Sequence, residues 1–213
     1  MTPRPRRPDL RARRAAEIIQ AAAEVFAEKG YQGARVIDVA RRAGIGKGTV
    51  YEYFHNKQEL FLAVFDWYVE GVLEAGLAAV EPGGAPSRAL RRLVEEMLAA
   101  TAELLHLYPL TLELWAAAAG SEFGERLNQE FRDLYRRYGD TVAGLIREGV
   151  ASGDFAPSVD AQATARVLVG ALDGLFLQAW LDPGFDAPAA GRAFLDVLLG
   201  GLAAPAGEAP ETE

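Results

Sequence analysis

Between positions 47 and 57 the chain carries Lys47, Gly48, Thr49, Tyr51, Tyr53 and Lys57, a set of ammonium, hydroxyl, phenol and bare-backbone donors on a short stretch. Donors of this kind suit a surface rich in acceptors and negative charge, such as base edges and phosphates. Two helical segments must position them. Val36, Val39, Ala40 and Ala43 stand at i, i+3, i+4 and i+7, so a helix there buries one face and leaves Arg41 and Arg42 in water. Gly44-Ile45-Gly46 then offers two residues tolerant of positive φ around one apolar plug, a corner that sets the next helix across the first. The second helix begins at about Lys47 and buries Val50 and Phe54, which turns Lys47, Gly48, Thr49, Tyr51 and Tyr53 outward. Asn56 and Glu59 form a capping box for a further helix, and Lys57 sits beside its N-terminus, where backbone N–H groups favour a phosphate.

Helix pairs with a glycine turn are common in all-α proteins, so charge is the second witness. Of the 22 Lys+Arg and 30 Asp+Glu, residues 1–57 hold 12 and 6, net +6, which leaves the rest at −14 and the whole at −8. A polyanion is drawn to one end and repelled by the other. Catalytic patterns are weak. Gly44-x-Gly46-x-Gly48 follows a helix and lacks a dinucleotide fingerprint's third spacing, and Gly46-Lys47-Gly48-Thr49 lacks the hydroxyl directly after the lysine that a P-loop needs. With His55 and His106 as its two histidines and no cysteine, the chain offers no evident triad, thiolate or metal site, and no cofactor is expected. Glu95, Glu96, Glu103 and Glu113 read as solvated helix faces.

In order and spacing, Gly30-Tyr31, Val36-Ile37-Asp38-Val39-Ala40, Ala43 to Tyr51, Tyr53-Phe54 and Lys57-Gln58-Glu59-Leu60 resemble the N-terminal signature of the TetR family of bacterial transcriptional repressors. The resemblance covers about residues 14–61. It implies an all-α chain in which three N-terminal helices bind DNA, while a divergent helical body dimerises and holds an effector whose binding releases the DNA. Carried over by position, it implies that Lys47, Gly48 and Thr49 approach base edges and that Tyr51, Tyr53 and Lys57 contact phosphates. Ala34 and Gly46 depart from the Thr and Ser that the family often has there, at positions read as helix N-caps. Arg35, beside Ala34, is expected to reach a phosphate instead.

The rest of the chain reads as helices divided by breakers. Residues 1–13 are expected to form a disordered basic Arg/Pro arm, 14–58 the helix-turn-helix domain, 59–202 the effector-binding and dimerisation domain, and 203–213 a disordered tail. Ile18, Ala22, Val25 and Phe26 give the first helix its buried face, with Gly30 just past its end. The clear internal breaker is Glu81-Pro82-Gly83-Gly84-Ala85-Pro86. No uninterrupted apolar run approaches a membrane span, and a soluble, cytoplasmic protein without membrane contact is expected. In the final helix pair, Ala161, Ala165, Leu168, Leu172 and Leu175 share one side, and Phe194, Val197, Leu198 and Leu202 share another. Two copies could join these faces in a four-helix bundle, and a twofold dimer matches a palindromic double-stranded operator. Rings and polar groups in the body make Trp67, Met97, Tyr108, Leu112, Trp115, Phe131, Tyr135 and Phe176 the candidate pocket for a small apolar or cationic aromatic effector. On the residues alone two other classes stay open: a helical small-molecule enzyme or carrier whose head docks proteins, and a ligand-independent DNA binder.

Overall fold

A computed structural model describes residues 7–80, 83–120 and 124–204. Residues 1–6 of the basic arm, Glu81 and Pro82 of the breaker, Phe123 and most of the tail lie outside the described residues. The described chain is helical, with α1 (Arg7–Gly33), α2 (Val36–Arg42), α3 (Lys47–Tyr51), α4 (Lys57–Ala78), α5 (Pro86–Glu103), α6 (Tyr108–Gly120), α7 (Gly124–Ser152), α8 (Ala161–Leu181) and α9 (Ala187–Leu202). A short 3-10 turn, Leu105–Leu107, joins α5 to α6.

The chain divides into two compact units: residues up to Gly71 with His106–Gly124, and Val72–Leu105 with Glu125 onward. The first unit therefore holds more than the 14–58 head read from the sequence, taking in most of α4 and all of α6, and α1 makes residues 7–13 of the expected disordered arm helical. Its core is the face foreseen for α1: Ile18, Ala22, Val25 and Phe26 are buried, together with Val36, Val39, Ala40, Val50 and Phe54 from α2, α3 and the turn after it. Each valine, isoleucine or phenylalanine among them contributes about 1.5–3 kcal/mol by leaving water, before entropy is counted. Phe26 packs edge-on against Phe61 of α4 with ring centroids 5.0 Å apart, and Tyr31 lies 4.6 Å from Phe61.

The α2–α3 corner is built by one glycine, not two. Gly44 takes φ +67°, the Ile45 N–H reaches the Ala40 carbonyl at 2.9 Å, and the Gly44 N–H reaches the Arg41 carbonyl at 3.2 Å. This crossed pair closes α2. Gly46 is extended, φ −73° and ψ 148°, and stands as the N-cap of α3. Ala34 is not a cap: Arg35 holds that position for α2 and Ala34 is buried before it. At the start of α4 the foreseen cap forms, with the Glu59 N–H on the Asn56 side-chain oxygen at 2.8 Å. The Glu59 carboxylate reaches back one residue further than expected, accepting from the His55 N–H at 2.8 Å.

In the second unit α5, α8 and α9 pack together through Leu90, Leu93, Leu98, Leu168, Leu172, Phe176 and Leu195. Arg91 of α5 pairs with Asp196 of α9 at 2.6 Å, and Asp154 accepts the Ser87 N–H at 2.7 Å. Asp160 and Asp186 cap α8 and α9, accepting from Ala163 and Ala189 at 2.9 Å. Ala85 holds the N-cap position of α5, with Pro86 opening the helix.

Candidate nucleic-acid interface

The surface of the head is decided by which face of α3 the core consumes. α3 is five residues long, and Val50 is its buried member. Lys47, Gly48 and Tyr51 are exposed and Thr49 is half-buried on the outer side. The Lys47 ammonium lies 5.6 Å from the Tyr51 ring centroid, so cation and phenol share one patch. Tyr53 is not on the helix: α3 stops at Tyr51, and Tyr53 follows in the turn that delivers Phe54 to the core.

Lys57 behaves differently from an outward phosphate ligand. Its Nζ donates to the carbonyl of Tyr31 at 2.7 Å and of Ala34 at 3.2 Å, and sits 4.3 Å from the Tyr31 ring centroid. Two of the three ammonium donors thus tie the start of α4 to the α1–α2 corner, and one is left over for an anion. Burial under this cluster pushes the Tyr31 phenol's pKa up.

Asp38 was not singled out by its sequence position, although Arg35 and Arg41 stand three residues to either side. Its carboxylate is buried and receives the Lys29 ammonium at 3.2 Å, with the Arg35 and Arg41 guanidinium groups both at 3.6 Å and the Arg35 N–H at 3.3 Å. The hydrogen bond from Lys29 holds its pKa below the ordinary carboxylate value, against the cost of burial. Arg41 and Arg42 are not simply in water. Arg42 bonds Glu24 at 2.5 Å and Glu28 at 2.8 Å, latching α2 to α1, and these carboxylates, Glu28 first, raise its pKa further. Arg35 keeps an exposed side chain at the N-terminus of α2.

Glu113 is a second correction. Read as a solvated face, it sits on α6 with Oε2 accepting the Tyr31 N–H at 2.6 Å, beside Gly30, whose φ of 67° and ψ of 167° interrupt α1. The residues placed around an effector divide between the units: Trp67, Tyr108, Leu112 and Trp115 fall in the first, Met97, Phe131, Tyr135 and Phe176 in the second. Tyr108, Met97, Phe131 and Phe176 are buried, whereas Tyr135 is 38% exposed and its hydroxyl donates to Asp173 Oδ2 at 2.6 Å. Burial raises the pKa of Asp173, and the Tyr135 bond partly offsets it. The second unit also has a half-open cavity of about 320 Å³ at the α8–α9 turn, lined by Leu105, Phe176, Ala179, Phe185, Asp186 and Pro188 among others. Phe176 is the residue it shares with the expected pocket.

Residues 18–64 match the model of bacterial regulatory proteins of the tetR family, and residues 86–204 match that of the BetI-type transcriptional repressor C-terminal domain. The chain belongs to the TetR family. It is 25% identical over 189 residues to the fatty acid metabolism regulator protein of Bacillus subtilis, covering 87% of this chain and 94% of that one. It is 30% identical over 153 residues to the uncharacterized HTH-type transcriptional regulator YhgD of the same organism, covering 71% and 76%. Among solved structures it resembles the fatty acid degradation regulator FadR from Bacillus halodurans, at 27% identity and a TM-score of 0.75 over 89% of this chain and 96% of that one. The TetR-family chain is accordingly a DNA-binding transcriptional regulator and not an enzyme, so the carrier-or-enzyme reading is set aside.

Proposed function

We propose that this regulator is a cytoplasmic homodimeric repressor which holds a palindromic operator through Lys47, Gly48 and Thr49 on base edges and through Arg35, Tyr51, Tyr53 and the spare donor of Lys57 on phosphates. A small apolar or cationic aromatic molecule entering the body releases it. The observation that carries the dimer is an uncovered apolar stripe. On α8, Val167 is 68% and Leu181 65% exposed, with Ala163, Gly170, Gly174 and Gln178 on the same helical row. On α9, Val197 is 75% exposed and Phe194 lies above it by one turn. The residues first assigned to this face split. Ala165, Leu168, Leu172 and Leu202 are buried in the chain's own core, and Ala161, Leu175 and Leu198 are half-buried, while Phe194 and Val197 point outward. Val167 and Leu181 lie on a row beside the expected one, because α8 presents apolar or small residues almost all round.

That composition gives α8 the length and mean hydropathy, 1.2, of a membrane span, with a third of its apolar 18-residue stretch buried. A second copy is the occupant favoured for its free side, since a helix-turn-helix gains affinity and specificity from two half-sites held by one twofold axis. Sedimentation at micromolar concentration should give a dimer for the parent and a monomer for Val167→Glu/Val197→Glu, with operator affinity falling in step. A monomeric parent, or one that partitions into vesicles, would refute the assembly. At the base edges, Lys47→Ala should relax preference at one half-site position by about 1–3 kcal/mol. The similarity to two regulators named for fatty acid metabolism or degradation weighs toward the apolar kind of effector. Calorimetric titration of a long-chain acyl thioester and of an aromatic quaternary ammonium compound, with and without operator, tests release. Coupling of the usual size lowers ligand affinity about 5- to 150-fold on DNA. Equal affinities in both states would remove effector control.

A further inference from the structure

Tyr53 has company at the far end of the reading helix. Arg11, near the start of α1, brings its guanidinium carbon 5.3 Å from the Tyr53 ring centroid and donates through Nη2 to the Glu52 carbonyl at 3.3 Å. These contacts link parts of the chain 41 residues apart. Arg11 is nonetheless exposed, and among the described residues that single hydrogen bond uses one of its five N–H donors. A guanidinium held over a phenol ring is pre-organised to offer its remaining donors to a phosphate, with the phenol as a second donor. Lys47 stands at the other end of α3, a helix about 7.5 Å long at 1.5 Å per residue.

We propose that Arg11 and Tyr53 form a phosphate clamp at the end of α3 away from Lys47, so that α1 itself grips the DNA backbone. This extends the DNA-binding assignment of the head to a residue that the helix-turn-helix pattern does not include. The competing account is that Arg11 only satisfies a carbonyl at the end of α3. Arg11→Gln separates the two, because the salt slope reads the lost charge alone, whether or not the bond to the Glu52 carbonyl survives. Binding of a short duplex of arbitrary sequence, followed by anisotropy through a salt series, reads the phosphate term directly. One lost contact lowers the slope of log affinity against log salt by about 0.9, so between 50 and 200 mM salt the parent should lose about 3.5-fold more affinity than Arg11→Gln. Arg11→Lys should restore the slope. Tyr53→Phe should keep the slope and lower affinity, since the ring stays and the donor goes. The three variants should melt with the parent. Parallel slopes for parent and Arg11→Gln would overturn the clamp, whether or not the melting temperature falls. A parent with no salt-sensitive association would overturn the clamp and the DNA-binding assignment together.

Discussion

Replacing Gly30 with alanine should damage the head through two separable routes. At φ 67° and ψ 167° the backbone lies in a region open in practice to glycine alone, and forcing a side chain there costs about 1–3 kcal/mol. The added Cβ would also stand 2.7 Å from Glu113 Oε1. Glu113 must then swing away and give up its 2.6 Å bond to the Tyr31 N–H, a charged hydrogen bond whose loss costs about 1.5–3 kcal/mol. Gly30→Ala should therefore destabilise by about 2.5–6 kcal/mol, a large part of the 5–15 kcal/mol typical of a folded domain. Glu113→Ala alone should cost about 1.5–3 kcal/mol, and in that background Gly30→Ala should retain only its backbone cost, about 1–3 kcal/mol. The coupling in the double-mutant cycle is then about 1.5–3 kcal/mol. Gly44 is the internal control. It has the same φ with no atom within 4 Å of an added Cβ, so Gly44→Ala should cost about 1–2 kcal/mol whatever stands at 113. Urea unfolding of the parent, three single mutants and two doubles measures all of these terms. If Gly30→Ala costs the same with and without Glu113, the α6–α1 contact does no energetic work and the reasoning fails.

The remaining expectations are smaller or narrower. Gly46→Ser should stabilise by a few tenths of a kcal/mol with operator binding kept, because the residue is extended and its added Cβ meets only the Thr49 hydroxyl at 3.9 Å; a fall in melting temperature would contradict that. Asp38, whose pKa is lowered in the folded head, contributes stability that is complete above the ordinary carboxylate value of about 4 and fades as pH falls through the native value. Thermal melts from pH 6 downward should therefore show an acid-side loss in the parent that Asp38→Asn lacks, and superimposable profiles would exclude the carboxylate as the source. Asp173 has the opposite sign: its raised pKa means that burial opposes the charged form, so Asp173→Asn should gain relative stability as pH rises above the ordinary carboxylate range, and a pH-independent difference from the parent would count against it.

What the chain states locally is its helices, their stops and the reading motif. Helical spacing at Ile18, Ala22, Val25 and Phe26, the breakers at Gly30 and Gly44, and the Asn56 cap all depend on neighbours within a few residues, and the fold obeys them. The outward set Lys47, Gly48 and Tyr51 follows because Val50 commits the other side of a very short helix. Sequence spacing could not supply what depends on partners tens of residues away. Lys57 looked free until the Tyr31 and Ala34 carbonyls claimed its ammonium, and Glu113 looked solvated until α6 brought it to the backbone N–H of Tyr31. Arg42 likewise found Glu24 and Glu28 only through the crossing of α1 and α2. On α8 the ambiguity was geometric. Apolar and small residues surround the axis, so periodicity determined that some face is buried, and only the packing of α5 and α9 against it decided that Leu168 goes inward and Val167 remains outside. A local pattern fixes which atoms can be donors or core. Which of them are already spent is a property of the assembled chain, because charge and hydrogen-bond capacity are consumed by whatever tertiary structure brings within about 3 Å.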